Sequence, residues 1–191
     1  MPTIGYGTTI WPNGRKVRMG DVMTQPQALM ALVLDMEANR LPALAAAISV
    51  PLSYGMATAL TSWLYNEGVH ALSGSALAAM LNSGLVARAA RQFNQWVRAA
   101  GKIDLGLMRR RELERRMFLG AQLNPTRAEV WTLGAAQLQP LCDAAQSDEA
   151  RWRVAPNPAA DPNTAVLAAI TAASDGGAGA GIMAAAQGAS S

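Results

Sequence analysis

Ser53-Tyr54-Gly55-Met56-Ala57-Thr58-Ala59-Leu60-Thr61-Ser62-Trp63-Leu64-Tyr65-Asn66-Glu67-Gly68 decides the fold. Met56, Leu60, Trp63 and Leu64 recur with helical spacing and make one apolar stripe. Ser53 stands where a helix N-cap belongs. Toward the C-terminus the same period continues. A short helix holds Leu77, Met80 and Leu81 and ends at Gly84. Another carries Val86, Ala90, Phe93 and Val97 and stops before Gly101. A longer one runs from about Leu107 to Leu119 and ends at Gly120, a helix-terminating glycine. In it, Glu112 and Arg116 form an i,i+4 pair worth ~0.3–0.5 kcal/mol. Beyond it, Thr126 and Glu129 have capping-box spacing and open a helix with Val130, Leu133 and Leu138. A further helical piece reaches Trp152.

Toward the N-terminus, Thr24 and Gln27 have capping-box spacing. Leu29, Leu32, Val33 and Met36 follow as a stripe, and Pro42 predicts a kink or break near residue 41. Residues 3–18 read as a β-hairpin. One arm is Thr3 to Ile10, the other Arg15 to Met19, and Pro12-Asn13-Gly14 between them is turn chemistry. The expectation is an α+β, mostly α fold, a small β-hairpin beside a helical lobe. Three regions are expected: a body over 1–120, a helical extension over 121–155, and an Ala/Gly/Pro-rich mobile tail over 156–191.

Composition narrows the function. The chain has 191 residues, 39 of them alanine, with one cysteine and one histidine. Cys142 has no partner in the chain, so a disulfide scaffold is excluded and a small buried apolar role is expected. No cofactor is implied, and a His/Cys metal site is not expected. No apolar run reaches the ~18 residues of a membrane span, and no signal peptide is visible. Residues 1–120 carry 13 basic and 7 acidic side chains; residues 121–191 carry 3 and 6. A cationic body suits a polyanionic partner. Nucleic acid is disfavoured, because the arginines alternate with acids and no basic–aromatic interleaving is visible.

Two stretches resemble the phage-type lysozymes, glycoside hydrolase family 24. The first is Pro2-Thr3-Ile4-Gly5-Tyr6-Gly7 with its Gly14-Arg15-Lys16-Val17 hairpin arm. The second begins with Val50-Pro51-Leu52 and Tyr65-Asn66-Glu67-Gly68. It continues through Ser75-Ala76-Leu77, Leu81-Asn82-Ser83-Gly84 and Ala89-Ala90-Arg91-Gln92-Phe93. It closes with Trp96 to Lys102 and Gly106 to Glu112. Five segments agree in order and spacing over about residues 2–120. The resemblance implies a lysozyme-like fold and hydrolysis of the bond between N-acetylmuramic acid and N-acetylglucosamine in bacterial peptidoglycan. It also implies a cytoplasmic wait in the producing cell before action at the cell wall.

The family's catalytic group is a Glu, eight residues, an Asp, five residues and a Thr. That Thr maps to Thr3, so the Asp and Glu fall six and fifteen positions ahead of it, outside the printed chain. The expectation is a chain shortened at its N-terminus relative to the family. Its apolar surface would then be partly uncovered, lowering stability or promoting association. A non-catalytic wall-binding homologue is the alternative. Thr8 stands where many members have His. Glu67 stands where the family often has an apolar residue; it is either a helix-end carboxylate paired with His70 or an arginine, or a stand-in acid. Asn66, Ser75 and Asn82 are candidate substrate contacts; the competing roles are a buried, satisfied polar side chain for Asn66 and helix capping for Ser75 and Asn82. Trp63, Phe93 and Trp96 fall on helical stripes and are expected in the core, sugar stacking being the other use of a tryptophan. The Arg109-Arg110-Arg111 and Arg115-Arg116 cluster is expected to be partly structural and partly available to an anionic wall.

Overall fold

The structure, a computed structural model, describes residues 1–154. The expected tail over 156–191 lies outside the described residues. The helices are α1 (Gln25–Asp35), α2 (Leu41–Ala47), α3 (Tyr54–Glu67), α4 (Ala76–Asn82), α5 (Val86–Gln92), α6 (Leu105–Phe118), α7 (Leu123–Thr132) and α8 (Ala135–Val154). One antiparallel pair, β1 (Arg98–Ala99) and β2 (Lys102–Ile103), lies between α5 and α6.

Helix α3 is the centre of the lobe. Ser53 caps it by accepting from the Met56 amide, and Met56, Leu60, Trp63 and Leu64 are all fully buried. Each such side chain contributes about 1.5–3 kcal/mol of hydrophobic stabilisation. Trp63 meets Phe93 edge-on at 6.5 Å and Trp96 at 5.0 Å, and Phe93 meets Phe118 at 5.5 Å. These aromatic contacts join α3, α6 and the 3-10 turn Phe93–Gln95. Gly55 permits the close crossing of α3 and α6, since a Cβ there would sit 2.5 Å from the Met117 carbonyl oxygen.

The hairpin is shorter than its sequence reads. Pro12-Asn13-Gly14 does turn the chain: the Trp11 amide donates to the Arg15 carbonyl at 2.7 Å and Ile10 bridges Lys16. Residues 3–8, however, are not a strand arm. Ile4 and Thr8 exchange both backbone hydrogen bonds, at 3.0 and 2.9 Å, so this segment closes on itself. Gly5, at φ +59°, makes that possible and lets the loop rest on α1; a Cβ there would meet the Ala28 Cβ at 2.9 Å.

The Thr24–Gln27 capping box is formed. The buried face of α1 differs from the expected stripe. Ala28 and Ala31 point inward, while Leu29, Met30, Val33 and Leu34 are exposed. The loop approaches so closely that only the small side chains fit beneath it. Pro42 neither breaks nor ends the helix. It lies in the first turn of α2, directly after a π-helical turn, Met36–Arg40, in which the Leu41 amide reaches the Met36 carbonyl. The wider turn accommodates a proline ring that would otherwise crowd the carbonyl four residues back.

Two later boundaries also move. The helix carrying Val86 and Ala90 ends at Gln92, and Val97 lies outside it, buried beside Met108, Leu138 and Cys142. Residues 98–103 turn back through Ala100 and Gly101, both at positive φ, as a two-residue hairpin loop demands. Thr126 is not an N-cap. Helix α7 starts at Leu123, with Pro125 in its first turn where a missing N–H costs little, and Thr126 is buried inside it. Leu138 belongs to α8, which packs on α5 and α6 and is tied there by Asp148 to Arg88 at 3.3 Å and Arg91 at 2.9 Å. Cys142 is buried as expected, and burial pushes its thiol pKa up, away from nucleophilic chemistry.

Candidate functional site

A cavity of about 660 Å³ opens where the N-terminal loop faces the helices. Its walls are residues 6–12, the end of α1 with the π turn, the end of α3, and Arg110. Each wall is fixed by a polar contact. The Tyr65 hydroxyl donates to the Tyr6 carbonyl at 2.6 Å, spanning from α3 to the loop. Arg40 lies over the Tyr65 ring at 5.5 Å, donates to the Leu64 carbonyl at 3.1 Å, and pairs with Asp35 at 2.7 Å. Asn39 donates to the other Asp35 oxygen at 2.9 Å. The pairing of residues 35 and 40, five apart, suits the wider turn between them. Burial raises the Tyr65 pKa above its ordinary value, and the Asp35 charge adds to this against the opposing pull of Arg40 and Arg110.

The loop side is set by Asp21. It accepts from the Arg18 amide at 3.0 Å and the Trp11 indole at 3.0 Å, and pairs with Arg15 at 3.0 Å. These contacts, the Arg18 amide foremost, hold its pKa at about 2. Trp11, a cavity wall, is thereby fixed at the base of the turn.

Beneath the cavity lies a dense charge network on α6. Arg111 is fully buried, 2.7 Å from Glu114 and 3.4 Å from Glu67, and it donates to Asn66. Burial lowers the Arg111 pKa and raises that of Glu114, outweighing for Glu114 the favourable contacts from Arg111, Ser62 and Arg110. Glu112 goes the other way. Burial pushes its pKa up, but hydrogen bonds from Arg115 and Arg116, both at 2.7 Å, bring it below the ordinary value. The surface-pair reading of Glu112–Arg116 is therefore corrected: this carboxylate is fully buried between two guanidinium groups. The arginine cluster is turned inward. Arg109 donates to the Leu133 carbonyl at 2.9 Å, and the other four arginines pair with Glu112, Glu114, Glu67 or Glu129.

The sequence candidates are distributed unevenly. Asn66 and Thr8 line the cavity, and Asn66 is exposed rather than buried, at the end of α3 with its Oδ1 accepting from Arg111. Thr3 is exposed on the loop and is not among the lining residues. Ser75 caps α4 by accepting from the Ala78 amide at 3.1 Å. Asn82 clamps the end of α2, accepting from the Ser49 amide at 2.9 Å and donating to the Ala47 carbonyl at 2.9 Å. Glu67 pairs with an arginine, Arg111, and His70 is exposed. Arg110, part of the arginine cluster expected from the sequence, also lines the cavity, whereas Asp35, Arg40, Tyr65 and Trp11 are site residues that the sequence does not single out. The polar triplet Asp35, Asn39 and Arg40 just before Pro42 was the available signal.

A small loop-built wall opposite a helical lobe, with a polar and aromatic cleft at their junction, defines a lysozyme-like protein. The phage lysozyme family model matches residues 1–114. The chain belongs to the phage lysozyme family. It is 34% identical over 117 residues to the endolysin of Bacillus phage B103, covering 61% of this chain and 43% of that relative. With the endolysin of Salmonella phage P22 it shares 34% identity over 119 residues, covering 62% and 80%. The solved endolysin from Escherichia coli O157:H7 phage FAHEc1 superposes with a TM-score of 0.57 at 34% identity, covering 62% of this chain and 77% of that one. The chain thus spans less than half the length of the Bacillus phage B103 relative. Helices α7 and α8 lie beyond the family match. Among the described residues no helix is long and apolar enough to cross a membrane.

Proposed function

We propose that this chain supplies the helical lobe and one cleft wall of a muramidase. The enzyme is a lysozyme-type glycosidase that hydrolyses the β-1,4 bond between N-acetylmuramic acid and N-acetylglucosamine, and so lyses the bacterial wall. One observation carries the reading: the 660 Å³ cavity is built from residues 6–110, wholly inside the phage lysozyme match. Its substrate is the peptidoglycan glycan strand. The cationic surplus of residues 1–120 favours approach to an anionic wall. Before lysis the enzyme waits in the cytoplasm of the producing cell.

Hydrolysis requires a proton donor at the leaving glycosidic oxygen and an activated water or nucleophile at the anomeric carbon. Asp35 is the carboxylate on the cavity wall, and Arg40 and Asn39 hold both its oxygens as acceptors. It suits electrostatic positioning better than proton donation. Glu67 is engaged by Arg111. The donor role therefore falls to the family's Glu, fifteen positions ahead of Thr3. The resemblance gives the positioning of the water to the family's Asp and to Thr3, which here lies exposed on the loop outside the cavity lining, while Asn66 on the cavity wall offers its amide to the sugar. Product analysis tests the bond assignment. Muropeptides released by the enzyme carrying that Glu and Asp should end in reducing N-acetylmuramic acid. Products ending in reducing N-acetylglucosamine, or cut in the peptide, would refute it.

A further inference from the structure

A second, smaller cavity of about 250 Å³ is lined by a separate set of residues. Its lining includes Trp96, the polar side chains Ser73, Ser75, Gln92 and Gln95, and Glu149 and Arg153 of α8. None of these residues lines the larger cleft. Two walls come from inside the family match, and the third comes from α8, beyond it.

The polar groups here are fixed, and several retain unused capacity. Gln95 donates to the Ala145 carbonyl of α8 at 3.2 Å and to the side-chain Oε1 of Gln92, which leaves its own Oε1 as an acceptor. Ser75 Oγ accepts from the Ala78 amide and still has a proton to donate. Ser73 is exposed at the rim. Arg153 pairs with Glu149 at 2.9 Å, so the two charges cancel while the guanidinium keeps free N–H groups. Trp96 is held edge-on by the buried Trp63 at 5.0 Å, a stiff aromatic platform. Neutral balance, mixed donors and acceptors, and one aromatic platform describe a site for an uncharged ligand with both a polar and an apolar face. The volume is below the ~300 Å³ at which drug-sized sites begin, which limits it to one ring.

We propose that this cavity is a second carbohydrate site that takes one N-acetylated amino-sugar ring of a glycan strand, away from the hydrolytic cleft. The choice of sugar rests on the muramidase reading; the existence of the site does not. Helix α8 completes it, giving the segment beyond the family match a wall-holding role.

The test uses the full 191-residue chain labelled with nitrogen-15 and the trisaccharide of β-1,4-linked N-acetylglucosamine. The five tryptophan indole signals are assigned by single Trp→Phe variants. Trp11 reports the cleft, Trp96 the second cavity, and Trp131 neither. Saturable movement of the Trp96 signal is expected. It should weaken at least tenfold in Ser73→Tyr, which fills the rim from an exposed loop, and in Arg153→Ala, with Trp11 behaving as before. A Trp96 signal that stays fixed at millimolar trisaccharide overturns the proposal, whatever Trp11 does. So does movement that neither variant weakens. Failure of the muramidase reading is seen separately, in the reducing ends released.

Discussion

The Tyr65 hydroxyl and the Tyr6 carbonyl, fifty-nine positions apart, meet at 2.6 Å and join the helical lobe to the loop that forms the opposite cleft wall. Tyr65→Phe removes this bond and leaves the Tyr6 carbonyl to water. A loss of about 1 kcal/mol is expected in urea unfolding at pH 7, with faster exchange of the Ile4 and Thr8 amides. The folded-state pKa of Tyr65 is raised above 10, so the contribution is complete below that value and fades as pH rises through the folded pKa. The gap between the two proteins should therefore narrow above pH 10. A gap that stays constant or widens there would contradict the assignment.

Arg111 and Glu114 form a fully buried ion pair that burial itself opposes. Removing one partner strands the other. Arg111→Met or Glu114→Leu alone should cost about 3–5 kcal/mol, while the double variant should lie near wild type or above it. Additive losses in denaturant titrations would show that the two groups are not coupled.

Asp21 anchors Trp11 in the cleft wall, with its pKa held at about 2. A depressed carboxylate pKa stabilises the fold above the ordinary value near 3.8, and that contribution is lost as pH falls toward 2. The Trp11 indole signal should titrate with a midpoint near 2. A midpoint near 3.8 would mean that the Arg18 amide and Trp11 contacts do not form in solution.

Ala100 occupies φ +48° in the β1–β2 turn, ahead of Gly101. An L-residue pays about 1–2 kcal/mol there, and asparagine pays less. Ala100→Asn should raise the melting temperature by a few degrees. A lowered Tm would contradict the positive φ at residue 100.

The helical lobe was legible because burial and periodicity agree in it. Met56, Leu60, Trp63 and Leu64 repeat at helical spacing and are all buried, and the Ser53, Ser75 and Thr24 caps form where short hydroxyl side chains precede apolar periods. The loop wall was less legible. Thr3 to Thr8 alternates like a strand, but its glycines let it fold back on itself, and strand periodicity carries no record of that. In α1 the larger side chains make the clearer stripe, yet close approach of the loop selects Ala28 and Ala31 for the inside. The cleft residues Asp35 and Arg40 were hidden because their contact spans five positions, a spacing that pairs side chains only across a π turn. Asn66 lies on the cavity wall, whereas Ser75 and Asn82 serve helix ends, the competing role expected of them from the sequence.

The central claim is that this lobe and cleft perform muramidase chemistry once a donor is in register with Thr3. The direct measurement is release of reducing ends from purified peptidoglycan. It compares the 191-residue chain with the same chain preceded by a family segment placing Glu fifteen and Asp six positions ahead of Thr3. Turnover is expected from the extended chain, with a loss of at least about a hundredfold when that Glu becomes Gln, and none above background from the 191 residues alone. Equal turnover from both forms would contradict the claim, because the acid would then reside among the residues of this chain.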